Sequence, residues 1–245
     1  MRRALALAGA AALGGLAGHA LPAAWFVPGL RMWLRPQLAG LGAPRHVALT
    51  FDDGPHPRGT PEILRVLDEY GVRATFFVLG RELARAPHLG AELAAAGHEI
   101  GVHGWDHRCL ALTSPRRTAC ELSRACEAVG DLTGTRPRWF RPPYGVLTTS
   151  AVRASKRLAL TPVLWTCWGY DWSRSATPAT VLATVTRDLR SGGTVLLHDS
   201  DVAAGPDSWK VTLGALPELL DHCRHQGWRV GPLRDHGVAP TPVIG

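Results

Sequence analysis

The sequence predicts an α/β fold, a parallel sheet of about seven strands closed into a TIM-like (β/α)7 barrel. Three observations predict it. From residue 46 onward, short apolar, β-branched runs alternate with segments of helical periodicity in a single array. The first run ends in Asp-Asp-Gly-Pro, not in the glycine-rich phosphate loop that an open doubly wound sheet usually carries there. Polar residues also recur at one phase of the repeat, just past each strand's C-terminal end, where the side chains of a β/α barrel converge on one face.

The elements follow in order. Residues 46–51 (HVALTF) and 74–80 (ATFFVLG) read as strands, and the helix between them has Thr60 as candidate N-cap with Pro61 at its first position. Residues 81–97 read as one helix ending at Gly97, and 98–103 (HEIGVH) as the third strand. Ser114-Pro115 opens a helix to about Val129, and a short strand follows at 139–141. A helix at 149–158, a strand at 162–165 and a helix capped by Thr177-Pro178 come next. A strand at 193–199, a helix at 209–226 and a short strand at 228–230 close the array before a Pro-rich tail.

The 245 residues suit one large domain plus a leader, and 46% hydrophobic against 19% charged composition supports a sizeable core. The net charge of +7 is unevenly placed: five arginines and no acid precede residue 46, so the remainder is near neutral at +2. Nucleic acid is therefore not expected as a partner, since basic residues do not cluster on the domain. Residues 4–30 carry no Arg, Lys, Asp or Glu and follow Arg2-Arg3, the pattern of an export signal or membrane anchor. The expected organisation is a leader or anchor over 1–24, a linker over 25–45, a catalytic domain over 46–236 and a tail over 237–245. The domain is expected outside the cytoplasm, secreted or anchored, as a monomer whose membrane contact runs through the leader. The five cysteines match no zinc-finger spacing, and their odd number leaves at least one thiol unpaired.

The strand-end residues are Asp52 and Asp53, His103 and His107, Arg141, Asp171 and His198. HGWDH spaces two imidazoles four residues apart, close enough in a helical turn to reach one cation. With Asp53 they form a two-histidine, one-carboxylate set that suits Zn²⁺, with Co²⁺, Ni²⁺ or Fe²⁺ as alternatives. In TFDDGP one aspartate can ligate while its neighbour stays off the metal and takes a proton. RPPYG fixes its backbone with two prolines and can present Arg141 and an N–H to a site. Trp105, Trp172 and Tyr144 either line a sugar-binding groove or pack into the core.

TFDDGP, H-x-x-x-H, RPPYG, a late Asp-Trp and LLH occur in this order. Together they resemble the motifs of the polysaccharide deacetylases, carbohydrate esterase family 4 of the NodB-homology type, over roughly residues 47–198. The resemblance implies a distorted barrel of fewer than eight strands. It also implies a metal-dependent hydrolase that removes N-acetyl groups from N-acetylglucosamine units of peptidoglycan or chitin. It assigns Asp52 as general base, Asp53, His103 and His107 as metal ligands, Arg141 as a contact of the base, and His198 as general acid. The N–H near Tyr144 would help hold the oxyanion. Two departures stand out. Gly104 replaces the usual Ser or Thr after the first metal histidine, which is expected to loosen the loop, and Trp168 replaces the first acid of Asp-x-x-Asp-Trp. The carboxylate partner of His198 is then expected to be Asp171, with Asp199 in reserve. The alternatives are a hydrolase of a small amide or ester, and a non-catalytic, membrane-tethered glycan-binding module.

Overall fold

The computed structural model describes residues 21–238. The expected leader, 1–24, lies almost wholly outside the described residues, as does most of the tail over 237–245. Among the described residues no helix is long and apolar enough to cross a membrane.

Among the described residues, eight parallel strands form one curled sheet: β1 (His46–Asp52), β2 (Thr75–Val78), β3 (Glu99–Val102), β4 (Trp139–Phe140), β5 (Thr161–Pro162), β6 (Cys167–Trp168), β7 (Thr194–His198) and β8 (Arg229–Gly231). Their spatial order is β5-β4-β3-β2-β1-β7-β6, with β8 beside β1. The central strand β1 is buried throughout, as its unbroken apolar run requires in a sheet covered on both faces. Its upper residues Thr50–Asp52 pair with β2 and its lower residues His46–Ala48 with β8, while β7 pairs along Ala48–Asp52.

Helices α1 (Pro28–Leu34), α2 (Gly59–Glu69), α3 (Gly80–Arg85), α4 (Pro87–Ala95), α5 (Pro115–Thr133), α6 (Thr149–Arg157), α7 (Pro178–Asp188) and α8 (Trp209–His225) connect and cover the strands. Ser114 and Thr177 cap α5 and α7 as expected, each accepting from a backbone N–H three residues on.

Three local expectations are corrected. The helix expected over 81–97 is two, α3 and α4, because Pro87 has no N–H to continue the first and starts the second. Thr60 is not the cap of α2, which begins at Gly59; its hydroxyl accepts from His56 N and donates to Asp199. The single strand expected at 162–165 is two short ones, β5 and β6, at opposite edges of the sheet, and residues 163–166 run between those edges. This seam is where the barrel fails to pair.

In the 25–45 stretch, Arg31, Leu38 and Ala39 are buried. Arg31 donates to Trp165 O at 2.7 Å, and Leu164 N donates to Leu38 O at 2.7 Å, so this stretch packs along the seam. At the base, His46 Nδ1 and His236 Nδ1 are 2.8 Å apart and share one proton position, linking β1 to the last described turn. All five cysteines are free thiols.

Candidate active site

Asp52 ends β1 and is register partner of His198, which ends β7. Residues in register share a face of a parallel sheet. Asp53 follows in the left-handed region (φ 75°), which aspartate tolerates better than most residues. That turn lets both carboxylates reach one imidazole: Asp52 Oδ2 is 3.8 Å and Asp53 Oδ1 3.3 Å from His103 Nε2. His107 Nε2 lies 3.4 Å from the same Asp53 oxygen.

Asp53, His103 and His107 offer ligand atoms that all lie within 4.8 Å of one another. The chemistry of this set fits a divalent cation. Asp53 Oδ1 is buried and has no hydrogen-bond partner. His103 Nδ1–H donates to Arg141 O at 2.8 Å, which leaves its Nε2 lone pair facing Asp53. Burial pushes both histidines down to about 3, so they are neutral. Burial pushes Asp53 up to about 7 when no cation faces it. The His103 lone pair, His107 Nε2 and an Asp53 carboxylate oxygen converge on one point, an arrangement that a cation would complete.

Asp52 is outside this triad and is held from the other side. Arg141 is fully buried and donates to Asp52 Oδ1 at 2.8 Å, Thr50 Oγ1 at 2.7 Å and Leu164 O at 2.7 Å. Its guanidinium also lies 4.1 Å from the Phe77 ring centre. Burial raises the Asp52 carboxyl above its ordinary range, and the Arg141 charge opposes that rise. Thr50 was not foreseen, although it stands two residues before Asp52 and so faces the same way.

His198 is oriented by Asp171. Its ring Nδ1–H donates to Asp171 Oδ1 at 2.9 Å, and its backbone N–H to Oδ2 at 2.7 Å. Thr212 Oγ1 donates to the same Oδ2 at 2.6 Å, a contact with no advance signal in the sequence. Burial disfavours the His198 charge, but the Asp171 carboxylate outweighs it and pushes the imidazolium up to about 10. Burial likewise works against the Asp171 charge, and His198 and the hydrogen bonds hold that carboxyl below its ordinary value. Asp199, the reserve candidate, turns elsewhere: its Oδ2 accepts from Thr60 Oγ1 at 2.5 Å, and burial pushes it up to about 7.

The remaining candidates divide. Tyr144 is exposed, with φ 58°, and its ring stands edge-on to His107 at 4.4 Å. Trp172 is exposed next to Asp171. Trp105 packs against the core under the Arg124 guanidinium, 3.5 Å from its ring centre. Gly104 has φ 97°, a conformation that side chains rarely adopt, and this accounts for glycine at that position. The loop is not loose, because Gly104 O and Trp105 O accept from Gly80 N and Arg81 N at 2.9 and 3.1 Å.

Comparison with known proteins agrees with this geometry. Residues 40–163 match the family model described as polysaccharide deacetylase. A chitooligosaccharide deacetylase of Bradyrhizobium sp. (strain ANU 289) is 32% identical over 207 residues, covering 82% of this chain and 94% of that protein. A peptidoglycan-N-acetylglucosamine deacetylase of Bacillus cereus is 32% identical over 185 residues, covering 75% and 84%. The crystal structure of the peptidoglycan N-acetylglucosamine deacetylase Bc1960 superimposes with a TM-score of 0.75 at 27% identity, covering 83% of this chain and 93% of that one. The curled parallel sheet is thus the distorted (β/α)7 barrel of these proteins, and the chain belongs to the polysaccharide deacetylase family.

Proposed function

We propose that this protein hydrolyses the N-acetyl group of N-acetylglucosamine units in a polysaccharide outside the cytoplasm and releases acetate. Peptidoglycan strands are the first substrate and chitooligosaccharides the second, the two classes on which the named relatives act. The observation that carries the reading is the pairing of a carboxylate and an imidazolium, Asp52 and His198, in register beside the Asp53–His103–His107 triad.

Asp52 takes a proton from the attacking water. Arg141 aims this buried carboxylate and favours its ionised form against the effect of burial. His198, protonated through its contact with Asp171, gives a proton to the departing sugar nitrogen. The backbone N–H at Tyr144, on the RPPYG turn, holds the developing oxyanion. When a divalent cation is bound by Asp53, His103 and His107, zinc best and cobalt or nickel next, it supplies Lewis-acid polarisation of the acetyl carbonyl. The uncharged 4–30 run behind Arg2-Arg3 directs the domain across the membrane.

The test is acetate release with mass-spectrometric product analysis on peptidoglycan, chitooligosaccharides and small acetyl esters, with and without added metal. Loss of 42 Da per N-acetyl unit is the expected result. Turnover of the small esters alone would replace this reading by a small-ester hydrolase.

A further inference from the structure

The segment that delivers Asp171 to His198 alternates strictly in what it buries. Cys167, Gly169 and Asp171 are buried, whereas Trp168 is partly buried and Tyr170 and Trp172 are 41% and 42% exposed. Solvent would favour polar residues at the second set of positions. This chain places three aromatic rings there, and the rings touch one another. Trp168 lies 4.2 Å from Tyr170 and 6.3 Å from Trp172, with Tyr170 and Trp172 6.2 Å apart. Behind them the stack continues inward, since Trp165 lies 5.3 Å from Trp168.

Register places Trp168, against which the other two rings pack, on the catalytic side. Trp168 pairs with Leu196, which pairs with Thr50, two residues before His198 and Asp52 on their strands. Side chains two apart on a strand share a face, so Trp168 faces the same way as Asp52 and His198. β6 is an edge strand of the sheet at the open seam, and among the described residues no further strand lies beside it on that side. Their positions are fixed. Asp171 is held by three hydrogen bonds, and Gly169 sits so close to α7 that a Cβ there would lie 2.6 Å from Val181. Tyr170 has φ 52°, a conformation costly for a large side chain, in the turn that sets its ring against Trp168.

We propose that Trp168 and Tyr170, continued by Trp172, form a stacking platform for a pyranose ring of the polymer next to the unit being deacetylated. The pair would thereby set a preference for longer chains. The inference rests on the deacetylase reading for its choice of ligand. A sugar ring has an apolar C–H face that matches a flat, rigid aromatic surface, and such a surface loses little conformational entropy on binding. A clustered, exposed aromatic patch beside a reaction centre is the kind of surface that marks a binding site.

The experiment compares wild type, Tyr170→Ala, Tyr170→Phe and Trp168→Ala on peptidoglycan glycan fragments and on chitooligosaccharides, each from dimer to hexamer, together with fluorescence titration by both hexamers. Wild-type kcat/KM should rise with length. The hexamer-to-dimer ratio should fall about tenfold in Tyr170→Ala and Trp168→Ala, mainly through KM, and be retained in Tyr170→Phe. Tyr170 is exposed, so its truncation keeps the test informative if Trp168→Ala does not fold. Acetate release with an unchanged ratio in Tyr170→Ala overturns the platform. Hexamer binding that Tyr170→Ala weakens, without acetate release by wild type, overturns the deacetylase reading and leaves the platform standing. Absence of both binding and release overturns both.

Discussion

Asp171 holds His198 at two points, accepting from its ring Nδ1–H at 2.9 Å and from its backbone N–H at 2.7 Å. The second bond fixes where the residue sits and the first fixes how its ring turns and what charge it carries. Removing the carboxylate charge therefore acts on the proton more than on the fold. Asp171→Asn should lower kcat by roughly 10²–10⁴-fold, the usual worth of a general acid. Its alkaline limb should move to lower pH, because the His198 pKa falls from about 10 towards its ordinary value. Asp199→Asn should do much less to the pH–rate profile. A pH–kcat/KM profile for each variant checks the order, and the reverse order would make Asp199 the working partner.

The adjacent aspartates should separate in one experiment. Asp53→Asn removes the charged member of the triad and should lower metal content and activity together. Asp52→Asn should keep its metal and turn over roughly 10²–10⁴-fold more slowly. Metal analysis beside acetate release decides, and equal metal loss in both variants would make Asp52 a ligand as well.

Restoring a hydroxyl after His103 should harm the protein. Gly104→Ser has room, since the nearest atom to a Cβ is 3.5 Å away, but it forces a side chain onto φ 97°. A cost of about 1–3 kcal/mol is expected, visible as a lower denaturation midpoint. An unchanged midpoint would mean that the loop can shift despite its two backbone hydrogen bonds to residues 80 and 81.

Acid should destabilise the domain through His98. This ring is buried and accepts from Ala74 N at 3.1 Å, and burial, assisted by Arg234 and Arg73, pushes its pKa down to about 4. The unfolded chain, with its histidine near 6.5, takes up the proton first. The contribution is therefore fully present above pH 6.5 and is lost as pH falls towards 4, to a limit of about 3 kcal/mol. His236, pushed down to about 4 mainly by burial, acts in the same direction. Asp53 and Asp199, pushed up to about 7, act in the opposite direction, so the reading is the difference between proteins: from pH 7 through 6 and 5 to 4, the urea midpoint of His98→Gln should shift less towards instability than that of wild type.

The sequence exposes those parts of this molecule that are set by local chemistry. Asp52, Asp53, His103, Arg141 and His198 were legible because each stands at or next to the end of a strand, at one phase of the repeat, and His107 because it follows His103 at a spacing of four. The helix caps Ser114 and Thr177 were legible because their hydrogen bonds close within three residues. What was hidden depends on distant neighbours. Strands β5 and β6 are two residues each, too short for any periodicity, and they are distinguished only by which edge they join. Arg31 lies in an otherwise apolar stretch, and nothing local says that its guanidinium reaches Trp165. Thr212 is one threonine on an amphipathic helix until the fold brings it to Asp171.

The pairing of β8 with the lower half of β1 has a consequence for how the protein is made. His46 and Arg229 are register partners, so the lower half of β1 keeps an unfinished edge until residues 229–231 have been synthesised. An open strand edge is a template for pairing with other chains. A polypeptide cut short before residue 229 would thus be an adhesive fragment, not a smaller enzyme. Contacts of such wide sequence separation also delay folding.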